Sequence, residues 1–247
     1  MKPKITIVIA TYNSGRTLKK ALDSVMSLTY QDWECLLVDG MSNDNTLNII
    51  KEYVEIDDRF RYISEKDTGI YDAFNKGWRN ARGEWVLYLG SDDQLTPDGI
   101  TALMTVKATD EAILSGSVFL IKPDGSIKNW KSVGYEGNHQ AKITKRSLLE
   151  KLGGYDISYK ICADSDFHVR LKNEGYKVLN IDEPIAYFSM DGISSDFSYV
   201  WTQTKERYKI YSKDRSVKSP FIKTFYVMSF NIGSFIYRKL LGILNKM

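Results

Sequence analysis

Two adjacent carboxylates, Asp92 and Asp93, follow a short apolar run, Trp85-Val86-Leu87-Tyr88-Leu89, after the pair Gly90-Ser91. A run this short, with Val, Tyr and Trp in it, reads as a strand buried on both faces. Neighbouring carboxylates repel unless a cation or hydrogen-bond donors satisfy them. Oxygen ligands suit Mg²⁺ or Mn²⁺, so the pair is a candidate divalent-metal site for a phosphate-bearing substrate. A lone Asp-Asp is more often a solvated turn, so its meaning depends on what else converges there.

Three earlier strands also end on polar residues. Ile5–Ala10 ends on Thr11, Glu34–Val38 ends on Asp39-Gly40, and Phe60–Ser64 runs into Glu65-Lys66-Asp67. Apolar residues at helical spacing predict helices over 16–26, 47–54 and 70–81. Ser14 is the expected N-cap of the first, and the polar run Ser42–Thr46 is expected to cap the second. This alternation predicts an α/β fold with a mainly parallel mixed sheet flanked by helices. Right-handed crossovers put the strand ends on one edge, where ligands bind in open α/β sheets. Independent turns would not place acids there so consistently, which favours a functional crevice.

Beyond Pro97 the pattern loosens. It predicts a helix over 98–107, one strand or two over 112–121, and a hairpin turn at Asp124-Gly125 with a return strand over 126–130. A loop follows at 136–140, then a short helix from Ser147 stopped by Gly153-Gly154. Ala163-Asp164-Ser165-Asp166 opens a helix to Asn173, with Asp166, Arg170 and Glu174 on one face. Two strands are expected at 176–181 and 185–190, and a polar linker at 212–220 leads to a final helix.

Charge is divided unevenly. From Phe197 to Met247 there are 10 Lys and Arg against 2 Asp and Glu, which leaves 24 against 29 in residues 1–196. An acidic body with a basic, aromatic tail suggests an anionic surface as the tail's partner. Nucleic acid is not the expected partner, because the body is acidic and the tail is more apolar than a phosphate-tracking groove requires. Cys35 and Cys162 form no disulfide framework or metal spacing and read as small core residues, which points to a reducing compartment. No signal peptide is expected, since Ile5–Ala10 is too short for an h-region. No stretch is long and apolar enough to span a membrane. The segment after strand one lacks the Gly-x-Gly-x-x-Gly that a dinucleotide oxidoreductase would want, and no P-loop is present.

Four segments together resemble glycosyltransferase family 2: Ile7-Val8-Ile9-Ala10-Thr11-Tyr12-Asn13, Val38-Asp39-Gly40-Met41-Ser42-Asn43-Asp44-Asn45-Thr46, Asp67-Thr68-Gly69-Ile70-Tyr71-Asp72-Ala73-Phe74-Asn75-Lys76-Gly77 and Gly90-Ser91-Asp92-Asp93. The resemblance covers about two-thirds of the chain. It implies the A-type nucleotide-sugar-binding fold and an inverting transfer. The Gly-Ile-Tyr-Asp segment resembles the branch that builds bacterial cell-surface polysaccharides. By position, the resemblance puts Thr11, Tyr12 and Asn13 along the nucleotide base, Asp39 on the base imide, and Asp67 facing the nucleotide. Asp92 and Asp93 fall on the Asp-any-Asp metal motif, with Ser91 at its first position. Asp93 is the expected direct ligand of Mn²⁺ or Mg²⁺, and Asp92 is expected on the ribose or a bound water. Ala163-Asp164 falls where the family has Glu-Asp, so Asp164 alone can carry the general-base role, and Asp166 would orient it or pair with Arg170. A His-Gln pair, here His139-Gln140, precedes Gly153-Gly154-Tyr155-Asp156 and is expected at the donor or acceptor. His168 reads as structural.

The resulting expectation is an inverting glycosyltransferase that moves a sugar from a nucleotide sugar, by family frequency a UDP-sugar, to a saccharide or lipid-linked acceptor. The competing reading is a non-catalytic nucleotide-sugar or lipid-binding module that kept the fold. The expected partition is a catalytic domain over 1–196, with nucleotide-sugar binding in 1–121 and the acceptor side in 122–196. A basic helical tail then covers 197–247. Apolar residues from Phe221 to Leu244 share a wide helical arc, opposite Lys223, Asn231, Ser234, Arg238 and Asn245. That amphipathic pattern beside a basic stretch predicts peripheral attachment to the anionic inner face of the cell membrane in a cytoplasmic protein. Burial of the same face in a homo-oligomer is the rival.

Overall fold

The structure is a computed structural model that describes residues 2–107, 112–122, 125–131, 134–189, 197–229 and 233. Its centre is β1 (Ile5–Thr11), where side chains alternate between two buried faces: Ile5, Ile7 and Ile9 enter one core and Val8 the other. β1 pairs in parallel with β2 (Trp33–Asp39) and with β4 (Trp85–Leu89), and β3 (Phe60–Ser64) continues the parallel sheet beyond β2. β2 and β4 are buried at every position, as their continuous apolar runs require. Helices α1 (Leu18–Met26) and α2 (Thr46–Ile56) contribute Leu18, Leu22, Val25, Ile49 and Ile50 to the first core. Helix α3 (Ile70–Asn80) lays Tyr71, Phe74 and Trp78 into the second.

Past β4 the elements are β5 (Gln94–Leu95), α4 (Gly99–Met104), β6 (Ala112–Ile121), β7 (Ile127–Trp130), β8 (Lys142–Lys145), α5 (Arg146–Leu152), α6 (Ala163–Asn173), β9 (Lys177–Ser189) and α7 (Val200–Lys213). The strand order is β3-β2-β1-β4-β8-β6-β9-β5, with β7 on β6. β8 runs antiparallel to both β4 and β6, β9 is parallel to β6, and β5 and β7 are antiparallel to their neighbours. The sheet is therefore parallel through its first four strands and mixed beyond them.

Several local expectations are corrected. Ser14 does not cap α1 with its side chain. The helix starts at Leu18 after a turn in which the Ser14 carbonyl accepts from the Thr17 and Leu18 N–H groups, 3.0 Å each. The polar run before α2 works through Asp44, which accepts from Gly15 N at 3.0 Å and Thr46 N at 2.9 Å. The segment after the expected 136–140 loop holds β8, whose Lys-Ile-Thr-Lys sequence hides its burial: Lys142 is 3% exposed. The two strands expected over 176–190 form one, β9, whose register against β6 shifts around Pro184. In the expected hairpin Gly125 has φ +77°, and Asp124 lies outside the described residues. The expected linker at 212–220 begins inside α7, which packs on α6 and places Ile210 in the same core as Phe167. A further helix occupies 220–229, and the rest of the predicted tail helix lies outside the described residues, Gly233 excepted.

Candidate active site

The strand ends meet as the alternation predicts. Asp39, at the end of β2, is fully buried, and its carboxylate accepts four hydrogen bonds from the chain. Thr11 Oγ1 (3.1 Å) and Ser42 Oγ reach Oδ1, while Ser42 N (3.0 Å) and Ser64 Oγ (2.9 Å) reach Oδ2. These bonds tie together the ends of β1, β2 and β3. Asn13 N donates to Ser42 Oγ at 2.9 Å, and Asn43 N donates to Asn13 Oδ1 at 3.0 Å. Among the described residues, Asn13 (φ 51°) and Met41 (φ 62°) are the non-glycine residues with positive φ, and both flank this crevice. Such backbone persists where its surroundings over-determine it. Tyr12 stands exposed at the rim. Gly40 lets Asp67 and Tyr12 close in, because a Cβ at position 40 would lie 2.5 Å from Asp67 Oδ2 and 3.4 Å from Tyr12 Cδ2. Thr11, Tyr12, Asn13, Asp39 and Asp67 thus form one wall.

The second wall is the loop after β4. Ser91 Oγ lies 2.9 Å from Ser14 Oγ, which clips this loop to the first wall. Asp93 is buried, and its two oxygens accept from Gln140 Nε2 and from the Ser189 N–H, 2.9 Å each. Burial, with the Asp92 charge adding to it, pushes the Asp93 carboxyl up to about 6; the Ser189 and Gln140 donors and His139 oppose that shift. Asp92 is exposed. Both carboxylates turn toward Gly90, where a Cβ would lie 2.5 Å from Asp93 Oδ2 and 2.9 Å from Asp92 Oδ1. This paired oxygen cradle suits Mn²⁺ or Mg²⁺, which are bound through one or two carboxylates with substrate phosphates and water completing the shell. No group of three His, Cys, Asp or Glu that could hold a metal occurs among the described residues.

Asp164 lies in the first turn of α6. Its Oδ1 accepts from Ser165 N at 2.8 Å and lies 3.2 Å from Tyr71 Oη, which also donates to the Ile161 carbonyl at 2.6 Å. Its Oδ2 lies 3.8 Å from His139 Nδ1, and each side chain keeps about a quarter of its surface open, at 27% and 28%. Burial works against the Asp164 charge, but His139 beside it and the Ser165 N–H outweigh it and hold the carboxyl well below the usual range. His139 also leans edge-on against Phe74, with ring centroids 5.9 Å apart. His168 is buried, and burial together with the Lys142 charge holds its imidazole in the neutral form.

Asp166 belongs to a different network. It is 1% exposed and accepts from Arg170 Nε at 2.8 Å and Lys213 Nζ at 3.1 Å. Arg170 donates onward to the Leu152 and Gly154 carbonyls, 2.6 Å each, and so joins α6 to the end of α5. Gly153 (φ 74°) and Gly154 (φ 69°) turn the chain there in a conformation that glycine tolerates. Gly154 also admits Asn75 and Trp78, each with an atom 2.4 Å from where its Cβ would stand. Asn75 then accepts from Tyr155 N at 2.9 Å and donates to the Tyr155 carbonyl at 2.8 Å. The Gly-Gly-Tyr-Asp segment is thus the dock for α3, and it sets the height at which α6 begins.

Sequence reasoning did not assign Tyr71, Ser189 or Ser91 a contact in the site. Tyr71 lies within the Gly-Ile-Tyr-Asp segment, which was its one available signal. Ser189 reaches Asp93 across 96 residues and carries no local signature.

A PGL/p-HBAD biosynthesis glycosyltransferase of Mycobacterium tuberculosis is 32% identical over 177 residues, covering 68% of this chain and 69% of that protein. The O-antigen biosynthesis protein RfbC of Myxococcus xanthus is 29% identical over 215 residues, 80% of this chain but 16% of that longer protein. Among solved structures, S. aureus TarS 1-349 in complex with UDP-GlcNAc aligns with a TM-score of 0.70 at 17% identity, covering 93% of this chain and 71% of that one. The mannosyltransferase PcManGT of Pyrobaculum calidifontis, in complex with GDP-Man and Mn²⁺, aligns with a TM-score of 0.70 at 17% identity, covering 94% and 70%. The shared architecture is the A-type glycosyltransferase fold. Residues 6–168 match the family model described as Glycosyl transferase family 2, and the chain belongs to that family.

Proposed function

We propose that the chain is an inverting, divalent-cation-dependent glycosyltransferase that moves a hexosyl or N-acetylhexosaminyl group from a nucleotide sugar to a hydroxyl of a saccharide or lipid-linked saccharide in cell-surface polysaccharide assembly. One observation carries this reading. The consecutive residues His139 and Gln140 span the crevice, with Gln140 bonded to Asp93 and His139 set against Asp164. A cation-binding carboxylate and a candidate base are thereby held on one short turn, as transfer between a diphosphate leaving group and an attacking hydroxyl demands.

Thr11, Tyr12 and Asn13 line the base, and Asp39 exchanges one of its hydroxyl donors for the base imide. Asp67 faces the ribose side. Asp93, with the more open Asp92 beside it, would hold the cation. That cation would offset the negative charge the diphosphate gains as it leaves. Asp164, kept ionised, takes the proton of the acceptor hydroxyl as it attacks from the face opposite the leaving group. A single displacement of this kind inverts the anomeric centre.

The acceptor side adds support for an anionic or lipid-linked acceptor. A groove of about 700 Å³ lies between the 156–160 segment and α7, and is lined by Lys160, Lys205, Lys209 and Tyr208 together with Asp156 and Glu206. Those three ammonium groups make no ion pair among the described residues, and lysine binds phosphate as a point charge. No helix among the described residues is long and apolar enough to cross a membrane. We place the protein on the cytoplasmic face of the membrane, held there peripherally.

The test is a thermal-stabilisation and nucleotide-release screen of UDP-, GDP- and dTDP-sugars with and without Mn²⁺. Stabilisation by one donor that requires the cation, with release of its nucleotide, is the expected result. No response to any donor would leave the non-catalytic module as the better reading.

A further inference from the structure

Helix α7 follows the family-matched region, yet it reaches the N-terminus of α6. Glu206 is 8% exposed, and its carboxylate accepts from three consecutive backbone N–H groups: Lys160 to Oε1 at 2.7 Å, and Ile161 and Cys162 to Oε2 at 3.0 and 2.9 Å. These residues immediately precede Ala163-Asp164. No cap on α6 is supplied by its own N-cap residue, Cys162, whose side chain makes no such bond. A carboxylate at a helix N-terminus also complements the positive end of the helix dipole. The segment Glu206 holds has a second connection to the site, because the Ile161 carbonyl accepts the Tyr71 hydroxyl whose oxygen lies 3.2 Å from Asp164.

We propose that Glu206 is a positioning residue for transfer, a carboxylate brought by α7 that sets Asp164 at its working height by fixing the 160–162 backbone. The carboxylates that α6 carries in its own first turn, Asp164 and Asp166, are engaged with Ser165 N and with Arg170 and Lys213, so the three N–H groups ahead of the helix are satisfied from a distant helix instead. The inference rests on the reading of Asp164 as the base. It also makes α7 part of the catalytic unit rather than part of a removable tail. Buried charged hydrogen bonds of this type are strong, and removing the acceptor leaves three N–H donors without partners.

The experiment uses full-length wild type, Glu206→Ala, Glu206→Gln and Asp164→Asn. Hydrogen exchange of the 160–162 amides is measured by mass spectrometry. Nucleotide release is measured with the nucleotide sugar that most stabilises the wild type. Glu206→Ala is expected to speed exchange of those amides tenfold or more and to lower kcat tenfold or more, with the donor KM within twofold. Glu206→Gln, whose amide oxygen still accepts, is expected to fall between. Unchanged amide exchange, or faster exchange with unchanged kcat, overturns the proposal; if the Ala variant does not fold, wild-type behaviour of the Gln variant in both readouts overturns it. Near-wild-type turnover by Asp164→Asn would instead remove the base assignment, whatever Glu206 does. The amide measurement stands even if no donor turns over.

Discussion

His139 Nδ1 lies 3.8 Å from Asp164 Oδ2, while the neighbouring Gln140 donates to Asp93 at 2.9 Å. The His-Gln pair is thus a ruler between the two carboxylates on which the proposed chemistry depends. Asp164 needs polar neighbours that favour its charge because burial alone would favour its neutral form. A base that is protonated at neutral pH cannot take a proton from a hydroxyl.

Asp164→Asn is expected to lower kcat by about 10²–10⁴, the range of a general-base contribution. Donor affinity should stay within a few-fold, since Asn fills the same space and Ser165 N still finds an oxygen. Steady-state kinetics with titration of the donor checks both. A rate near wild type would exclude Asp164 from the mechanism.

His139→Ala removes the leading stabiliser of the Asp164 charge. Burial then works against ionisation with less opposition, so the folded Asp164 carboxyl should titrate at higher pH than in the wild type. The acid limb of the kcat profile is expected to move to higher pH, so that the variant loses more of its rate in acid than near neutrality. An unmoved limb with a raised donor KM would make His139 a donor contact instead.

Asp93 gives a prediction of opposite sign for stability and activity. Its folded carboxyl is raised to about 6, above the value of an unfolded aspartate. Between pH 4 and pH 6 the folded chain therefore binds the proton more tightly than the unfolded chain does, and stability falls as pH rises through that window. Asp93→Asn should stabilise the protein by on the order of 2 kcal/mol at pH 7 and by nothing near pH 4, while cation-dependent donor binding is lost. Asp92→Ala should weaken that binding less and, by removing the like charge beside Asp93, should move stability at pH 7 in the same direction as Asp93→Asn but by less. Thermal melts at the two pH values, with and without Mn²⁺, decide this. A destabilised Asp93→Asn at pH 7, or full wild-type activity in excess chelator, would contradict it.

The first half of the fold was legible because its signals are local. Each strand of the parallel part is a short apolar run ending on a polar residue, and each helix shows its apolar face within eleven residues or fewer. Asp39, Asp92, Asp93 and Asp164 could be picked out because they stand at element ends. The mixed half was not legible to the same degree. β8 carries lysines at both ends and is buried only because β4 and β6 enclose it. The partners of Asp93 come from 47 and 96 residues away, and Glu206 reaches its backbone donors across 44 to 46 residues. Such bonds satisfy buried charge without leaving any periodic trace. Asp166 is a mixed case: its pairing with Arg170 was readable from their spacing, whereas its second partner, Lys213, was not.

The last prediction concerns membrane attachment. In the helix at 220–229, Phe221 and Tyr226 are each 71% exposed and Phe225 58%, while Thr224 faces the body. Lys223 lies over the Tyr211 ring at 4.5 Å, which anchors this helix to α7. Exposed aromatic side chains beside the lysines of α7 suit an anionic leaflet, where each Lys or Arg near the surface adds about 1 kcal/mol. Full-length protein is expected to float with anionic liposomes at low salt and to be released as salt rises. A 1–218 variant retains α7 and Glu206, so it should fold and turn over donor, yet stay at the bottom of the gradient. Lys205→Glu with Lys209→Glu should weaken flotation of the full-length chain without preventing donor binding. If full-length protein fails to float, or the truncated form floats equally well, the tail is not the attachment. Loss of a dimer on truncation would then assign its apolar face to a second copy of the chain.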